Sequence, residues 1–379
     1  MTEILFWSVV IILFYIFFGY PVICYLLGQF KSRPVRYDES YLPTISLVIS
    51  AHNEEKMIGE KIDNTLDLDY PRDRLEIIVA SDGSTDRTEE IVRDKNAAGA
   101  DVILLDFENN RGKTTVQNEA VLEAKGEMVV FSDANAMYEK SAIRKLVRNF
   151  ADSSVGCVCG ELVYVKGECA AAQGEGFYWK YEQFLKKAES RLGSVLGATG
   201  AIYAVRKELY VPLGEEIISD FVEPLKILEA GYRAVYEQGA VAYEGIEDDY
   251  WNSWKRKTRI VARGYRGLLS VKHLMNPLKN GFLAVGLISR RLLRWYAGFL
   301  LAVMLGLNMH LAVAGGRLYF WMLVAQALFY GLAALGVISK NKWKPLMIPA
   351  YFCTVNLASM NGVLQCHFGR KYVFWEPVR

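Results

Sequence analysis

The 379 residues are 52% hydrophobic, 13% aromatic and 23% charged, and 44 Lys plus Arg face 42 Asp plus Glu for a formal net charge of +2. That near-balance excludes the electrostatic footprint of a nucleic-acid binder, and the apolar content excludes a disordered chain. The apolar residues are unevenly placed, which points to a membrane protein with a soluble middle.

Residues Ile4 to Leu27 carry no charged side chain. At helical rise this run reaches about 36 Å, enough for a hydrocarbon core of about 30 Å. It is long for a secretory leader and lacks basic residues before it and a small-residue cleavage site after it. A membrane helix over residues 1–30 is therefore expected. Glu3 precedes it, and Lys31, Arg33 and Arg36 follow. The positive-inside rule then places the middle of the chain in the cytoplasm, at an inner membrane crossed several times.

From Pro43 to Arg266, short β-rich runs alternate with helical patterns, so residues 43–266 are expected to form one α/β domain. Strands are expected at Ile45–Ser50, Leu75–Ala80, Val102–Leu105 and Met128–Phe131. A helix is expected up to Leu66, and another after Ser81–Asp86 with Thr85 or Ser84 as its N-cap. Strands separated by helices pair in parallel, and such sheets bind ligands at the carboxyl ends of their strands. That rule selects His52 to Glu54, Asp82 to Ser84 and Asp133 to Asn135.

Beyond the domain, residues 267–295 mix Leu268, Leu269, Val271, Leu274, Met275 and Leu278 with Lys272, His273 and Lys279. A basic amphipathic helix at the inner membrane surface is expected, with a core helix as the alternative. Residues 296–368 are expected to lie in the membrane. Tyr296–Ala314 and Leu318–Ser339 form a hairpin about Gly315-Gly316-Arg317, with Arg290, Arg291 and Arg294 on one inner flank and Lys340, Lys342 and Lys344 on the other. The segment Pro345–Phe368 carries Asn356, Ser359, Asn361 and Gln365. It either packs a polar stripe against other helices or re-enters the interface, and residues 369–379 form a tail. Cys157-x-Cys159 is a weak metal signal, and Cys24, Cys353 and Cys366 read as small apolar groups in membrane segments, so no structural zinc and no disulfide framework is expected.

Four acidic positions carry the chemistry: Glu54, Asp82, Asp133 and Asp220. Asp133 and Asn135 offer two oxygen ligands two residues apart, suited to a hard divalent cation. Arg111-Gly112-Lys113 opens a helix without the Gly-x4-Gly-Lys spacing of a Walker loop. Arg256, Arg259 and Arg263 recur at spacings that share one helix face, read either as a solvated or headgroup face or as a clamp for a diphosphate.

These residues carry a resemblance. PTISLVISAHNE at 43–54, IIVASDGSTD at 77–86, Gly112-Lys113, SDAN at 132–135, Gly197–Ala201, Ile218–Phe221, Ala230–Arg233 and Trp375-Glu376-Pro377 resemble family 2 glycosyltransferases of the GT-A fold. The resemblance implies an α/β domain with a mixed, mostly parallel sheet that binds a nucleotide-sugar, flanked by transmembrane helices. It implies that Glu54 and Asp82 hold the uridine of a UDP-sugar beside Lys113, and that Asp133 with Asn135 binds Mg²⁺ or Mn²⁺. Asp220 would be the base of an inverting transfer to a lipid-linked or polysaccharide acceptor in the bilayer, and Arg256 or Arg259 would serve the diphosphate. The sequence departs from the pattern at Asn135, where a second carboxylate is usual, and at Ser219, where a glutamate is usual. It also reads Trp254-Lys-Arg256-Lys-Thr-Arg259 where processive synthases carry Gln-x-x-Arg-Trp, which argues against cellulose-like polymerisation. The alternatives are a processive synthase that exports its product and a non-catalytic nucleotide-binding scaffold. A nucleotidyltransferase is disfavoured by the acidic loop after the first strand.

Overall fold

The computed structural model describes residues 1–165, 170–245, 250–339 and 343–374. Lys340, Lys342, Trp375-Glu376-Pro377 and Arg379 lie outside the described residues. The chain divides into two compact units. One comprises Met1–Leu27, Lys166–Leu185 and Ile246–Arg370, and the other Gly28–Val165, Lys186–Gly245 and Lys371–Arg379.

The second unit is built on an eight-stranded mixed sheet. Its strands are β1 (Ile45–Ala51), β2 (Leu75–Asp82), β3 (Val102–Phe107), β4 (Met128–Asp133), β5 (Met137–Tyr138), β6 (Val155–Val165), β7 (Tyr203–Arg206) and β8 (Arg233–Gly245), in the order β3-β2-β1-β4-β7-β6-β8-β5. The first four strands in that order run parallel, while β7 is antiparallel to both its neighbours. All seven residues of β1 are buried. A strand covered on both faces buries every position, Ser46 and Ser50 included, which is why it reads without a solvent-facing alternation.

Register brings the functional ends together. Ser50 of β1 aligns with Ala80 of β2 on one side and with Asp133 of β4 on the other. The segments that follow these strands therefore leave the sheet side by side. Behind them lies a core of Val48, Ile78, Val129, Phe131, Cys157, Cys159 and Tyr203, with Phe131 stacked on Tyr203 at 4.7 Å between ring centroids. Burying each large side chain of this kind contributes about 1.5–3 kcal/mol. The five described cysteines are free thiols, and burial holds the Cys157 thiol far up.

One helix start differs from expectation. The helix after β2 runs Thr88–Ala97, and it is Asp86, not Thr85 or Ser84, whose Oδ1 accepts from the Thr88 N–H at 3.0 Å. Ser84 and Thr85 are instead engaged by Asn53, whose N–H donates to Ser84 Oγ and whose Oδ1 accepts from the Thr85 N–H.

In the helical unit, two helices among the described residues are long and apolar enough to cross a membrane, Thr2–Phe30 and Arg317–Ser339. The segment Pro277–Trp295 and the helix Ala297–Val313 pass the same test only together and meet at a 60° bend. Residues 267–295 are not one amphipathic helix. The helix Tyr250–Ser270 ends, a short turn spans Lys272–Met275, and a new helix starts at Pro277 with the Asn276 side chain accepting from the Leu278 N–H. Proline at the first helical position and asparagine before it form a helix-start signal that breaks the segment. The last helix, Lys344–His367, turns Asn356 and Ser359 inward, both 6% exposed. It packs closely on Tyr250–Ser270: a β-carbon on Gly362 would sit 2.7 Å from the Thr258 carbonyl oxygen.

Candidate active site

The site is assembled from the loops that leave β1, β2 and β4, together with two later segments. Asp82 closes β2 fully buried. Its Oδ1 accepts from the Arg111 N–H at 2.6 Å and its Oδ2 from the Gly112 N–H at 2.9 Å. Gly83 makes this possible. Its φ is +64°, a left-handed value that glycine adopts without strain, and a β-carbon there would lie 2.4 Å from the Asn110 backbone nitrogen. Loop 107–112 thus lies directly over Gly83, and the Asp82 carboxylate fixes its backbone.

His52, the first residue after β1, is buried and puts Nδ1 2.7 Å from the Asp82 carbonyl oxygen. Its neighbours Asn53, Glu54 and Glu55 use their N–H groups on Ser84, Thr88 and Asp86. The β1 and β2 loops are therefore laced into one platform. Glu54 is half-buried on it.

Gly112 opens the helix Lys113–Glu123 with φ +85°. A β-carbon on it would lie 2.5 Å from the Val373 carbonyl oxygen. The described end of the tail, anchored by Lys371 to Glu216 at 3.3 Å, therefore runs against the loop that Asp82 organises. Nothing in the sequence signalled this contact.

Lys113 projects from the start of its helix onto Asp133 and forms an ion pair with Oδ1. Asp220 lies in the first turn of the helix Ser219–Glu229, where unpaired N–H groups favour negative charge. Gly200 shows that these groups converge. A β-carbon there would meet Asp220 Oδ2 at 2.9 Å and Lys113 Nζ at 3.3 Å. The Asp220 carbonyl also accepts from the Ala198 N–H at 2.7 Å, which ties the glycine loop to this helix. Ser219 donates to Gln117 Oε1 at 2.6 Å and binds the helix that carries Lys113.

Asn135 donates through Nδ2 to Glu244 Oε1 at 3.1 Å. With the amide NH₂ so engaged, its oxygen is the atom left for a cation, and Asp133 supplies a carboxylate two residues away. Among the described residues no three His, Cys, Asp or Glu converge as a ready-made metal cage. The donor set suits a hard cation that takes its other ligands from a phosphate and from water.

Lys113, Asp133 and Asp220 thus converge, with Asp82 organising the adjoining loop. Arg256 and Arg259 lie half-buried in the helical unit, on the helix Tyr250–Ser270. Tyr178 and Tyr181, in the same unit, are used in packing. Tyr178 lies 6.0 Å from the Tyr351 ring and 5.0 Å from the Arg294 guanidinium, and Tyr181 donates to the Phe17 carbonyl. Gly160 answers to sheet geometry: a β-carbon there would lie 2.7 Å from the Ala240 carbonyl oxygen.

Residues 46–211 match the sequence model of glycosyl transferase family 2. Through its α/β domain the chain is similar to this family. It is 26% identical over 270 residues to poly-beta-1,6-N-acetyl-D-glucosamine synthase of Staphylococcus aureus (strain COL), covering 66% of this chain and 65% of the relative. It is 28% identical over 244 residues to "Probable glycosyltransferase YdaM" of Bacillus subtilis (strain 168), covering 59% and 55%. The matches thus span 65% and 55% of the length of these relatives. Among solved structures, the mannosyltransferase PcManGT from Pyrobaculum calidifontis, in complex with GDP-Man and Mn²⁺, superposes with a TM-score of 0.73 at 24% identity, over 96% of this chain and 99% of that one. The fold is that of GT-A glycosyltransferases.

Proposed function

We propose that this chain is a family 2 glycosyltransferase, inverting and metal-dependent, that moves a sugar from a nucleotide-diphosphate donor to a lipid-linked or polysaccharide acceptor. The observation that carries this reading is the meeting of Asp220 and Lys113 at Gly200, with Asp133 ion-paired to that lysine. It brings together a base, a cation for phosphate and a metal carboxylate.

In this reading Glu54 and Asp82 border the nucleotide base, which we take to be uridine. Loop 109–112, held in place by Asp82, lies on the same side, and Lys113 and the arginines Arg256 and Arg259 serve the diphosphate. Asp133 and Asn135 hold Mg²⁺ or Mn²⁺, which would stabilise the negative charge growing on the departing diphosphate. Asp220 takes the proton of the acceptor hydroxyl. The hydroxyl oxygen forms a bond to the anomeric carbon from the face opposite the phosphate. The anomeric carbon–oxygen bond to the diphosphate breaks, its electron pair leaves with the nucleoside diphosphate, and configuration inverts. A carboxylate suits this base because it stays ionised at neutral pH.

The helices Thr2–Phe30 and Arg317–Ser339 support membrane attachment, and the basic residues beside the apolar runs support a cytoplasmic catalytic face. The name of the staphylococcal relative supports a polymer as product, so processive elongation is the second reading. Release of UDP or GDP by protein in nanodiscs, across a panel of UDP- and GDP-sugars with Mn²⁺ or Mg²⁺, tests the proposal, and product length separates single transfer from a ladder. Tight nucleotide binding with no release for any donor, even with a lipid extract added back, would favour the non-catalytic scaffold.

A further inference from the structure

Behind the turn Asp133–Asn135 lies a buried lysine that sequence patterning did not flag. Lys61, on the helix Ile58–Leu66, is 0% exposed. Its Nζ donates to the carbonyl of Ala136, the residue that follows Asn135, and lies 3.7 Å from the ring centroid of Tyr138. Ala136 itself closes the turn, its N–H donating to the Asp133 carbonyl at 3.2 Å. Asn64, one residue short of a full turn along from Lys61, holds Tyr138 from both sides. It donates to the Tyr138 carbonyl at 2.9 Å and accepts from its N–H at 2.7 Å.

Tyr138 is 3% exposed, and its hydroxyl lies within hydrogen-bond reach of two carbonyls. One belongs to Phe131, two residues before Asp133, at 3.2 Å; the other belongs to Ala201, next to Gly200, at 3.0 Å. The same phenol therefore touches the strand that delivers the metal carboxylate and the loop that faces Asp220. A buried ammonium is costly to desolvate, and an apolar side chain would fill its space as well. The amine is explained by what it holds.

We propose that Lys61 and Tyr138 are positioning residues for the cation site, a buried strut that fixes the turn Asp133–Asn135 relative to the Gly200–Asp220 side. Neither touches substrate. This inference rests on the glycosyltransferase reading above, because it takes that turn as the metal site. Outer partners of this kind hold ligand oxygens in place before the metal arrives, and their loss commonly weakens metal affinity by about 10–100-fold.

The test uses full-length protein in nanodiscs, with Mn²⁺ binding read by electron paramagnetic resonance at saturating UDP or GDP. Lys61→Met removes the donor, and Tyr138→Phe removes only the hydroxyl. The expected result is an apparent Mn²⁺ Kd raised about tenfold or more in both, with metal-free nucleotide binding within about twofold of wild type. The Mn²⁺ concentration for half-maximal turnover should rise in parallel. If the variants merely lower the unfolding temperature while Mn²⁺ affinity stays at the wild-type value, the strut is structural only and the proposal is overturned. If Lys61→Met does not fold, Tyr138→Phe decides by the same criterion. Wild-type protein that binds no Mn²⁺ with either nucleotide would overturn the metal-dependent reading of the whole site, an outcome distinct from equal binding by wild type and variants.

Discussion

Gly200 leaves room for the Asp220 carboxylate: a β-carbon at that position would lie 2.9 Å from Oδ2. The spacing is shorter than a carbon and an oxygen tolerate without movement, and Lys113 Nζ stands 3.3 Å away on the same side. The φ of Gly200 is not in the left-handed region, so an alanine is acceptable to the backbone and its effect falls on the two charged groups.

Gly200→Ala is therefore expected to lower turnover by about tenfold through displacement of the base, since small misplacements at a reacting centre are costly. Folding should be nearly unchanged. Steady-state UDP release and a thermal melt on the same preparation check this. Full activity would mean that Asp220 does not act from its present position.

Asp220→Asn keeps the shape of the side chain and removes its basicity. Transfer should fall by about 10²–10⁴-fold, the usual contribution of a positioned base, while donor binding in the presence of metal stays near the wild-type value. Isothermal titration with the nucleotide and a single-turnover transfer assay separate the two quantities. A variant that retains full transfer would show that the base is elsewhere.

Asp82 makes a different prediction. Both carboxylate oxygens are used on the Arg111 and Gly112 N–H groups; Asp82→Ala leaves the Arg111 donor without its acceptor and the Gly112 donor with only Asn110 Oδ1 at 3.2 Å. A loss of about 1–3 kcal/mol of stability is expected from the orphaned Arg111 N–H, together with weaker nucleotide binding as loop 109–112 loosens. Denaturant unfolding of the detergent-solubilised protein measures the first, and nucleotide titration the second. Unchanged stability would mean that the loop is held by other contacts.

Much of this site could be read from the sequence, because the β-rich runs and the polar clusters after them obey the rule that parallel sheets bind ligands at their carboxyl ends. Asp82, Asp133 and Asn135 were accessible in that way, as were the first four strands. Lys61 and Tyr138 were not: a lysine in a helix pattern reads as a solvated face, and only tertiary packing buries it. Glu244 was hidden for a similar reason, since it lies 109 residues from the Asn135 amide it receives. The order of β5 to β8 was equally invisible. Their pairings are long-range and partly antiparallel, and no local pattern encodes which edge a late strand joins. The break at Asn276-Pro277 carries a helix-start signal of its own, set inside an amphipathic pattern that runs across it.

A last prediction concerns pH. Glu223, one turn along from Asp220 on the helix Ser219–Glu229, is fully buried. Burial raises its carboxyl from an ordinary 4.5 to about 8, against smaller opposing effects of the Val211 N–H and Lys226. The folded protein thus holds this proton more tightly than the unfolded chain does. The stabilising contribution of the neutral form is complete below about pH 4.5 and is lost as the pH rises towards 8, at up to about 1.4 kcal/mol per pH unit for this group alone. Glu223→Gln keeps an oxygen for the Val211 N–H, which now donates to Oε1 at 3.1 Å, and cannot ionise. The variant should match wild type near pH 5 and exceed it in unfolding temperature at pH 8.5, flattening the stability profile between them. Melting curves of both proteins across that range are the measurement, and identical slopes would show that Glu223 does not titrate in this window.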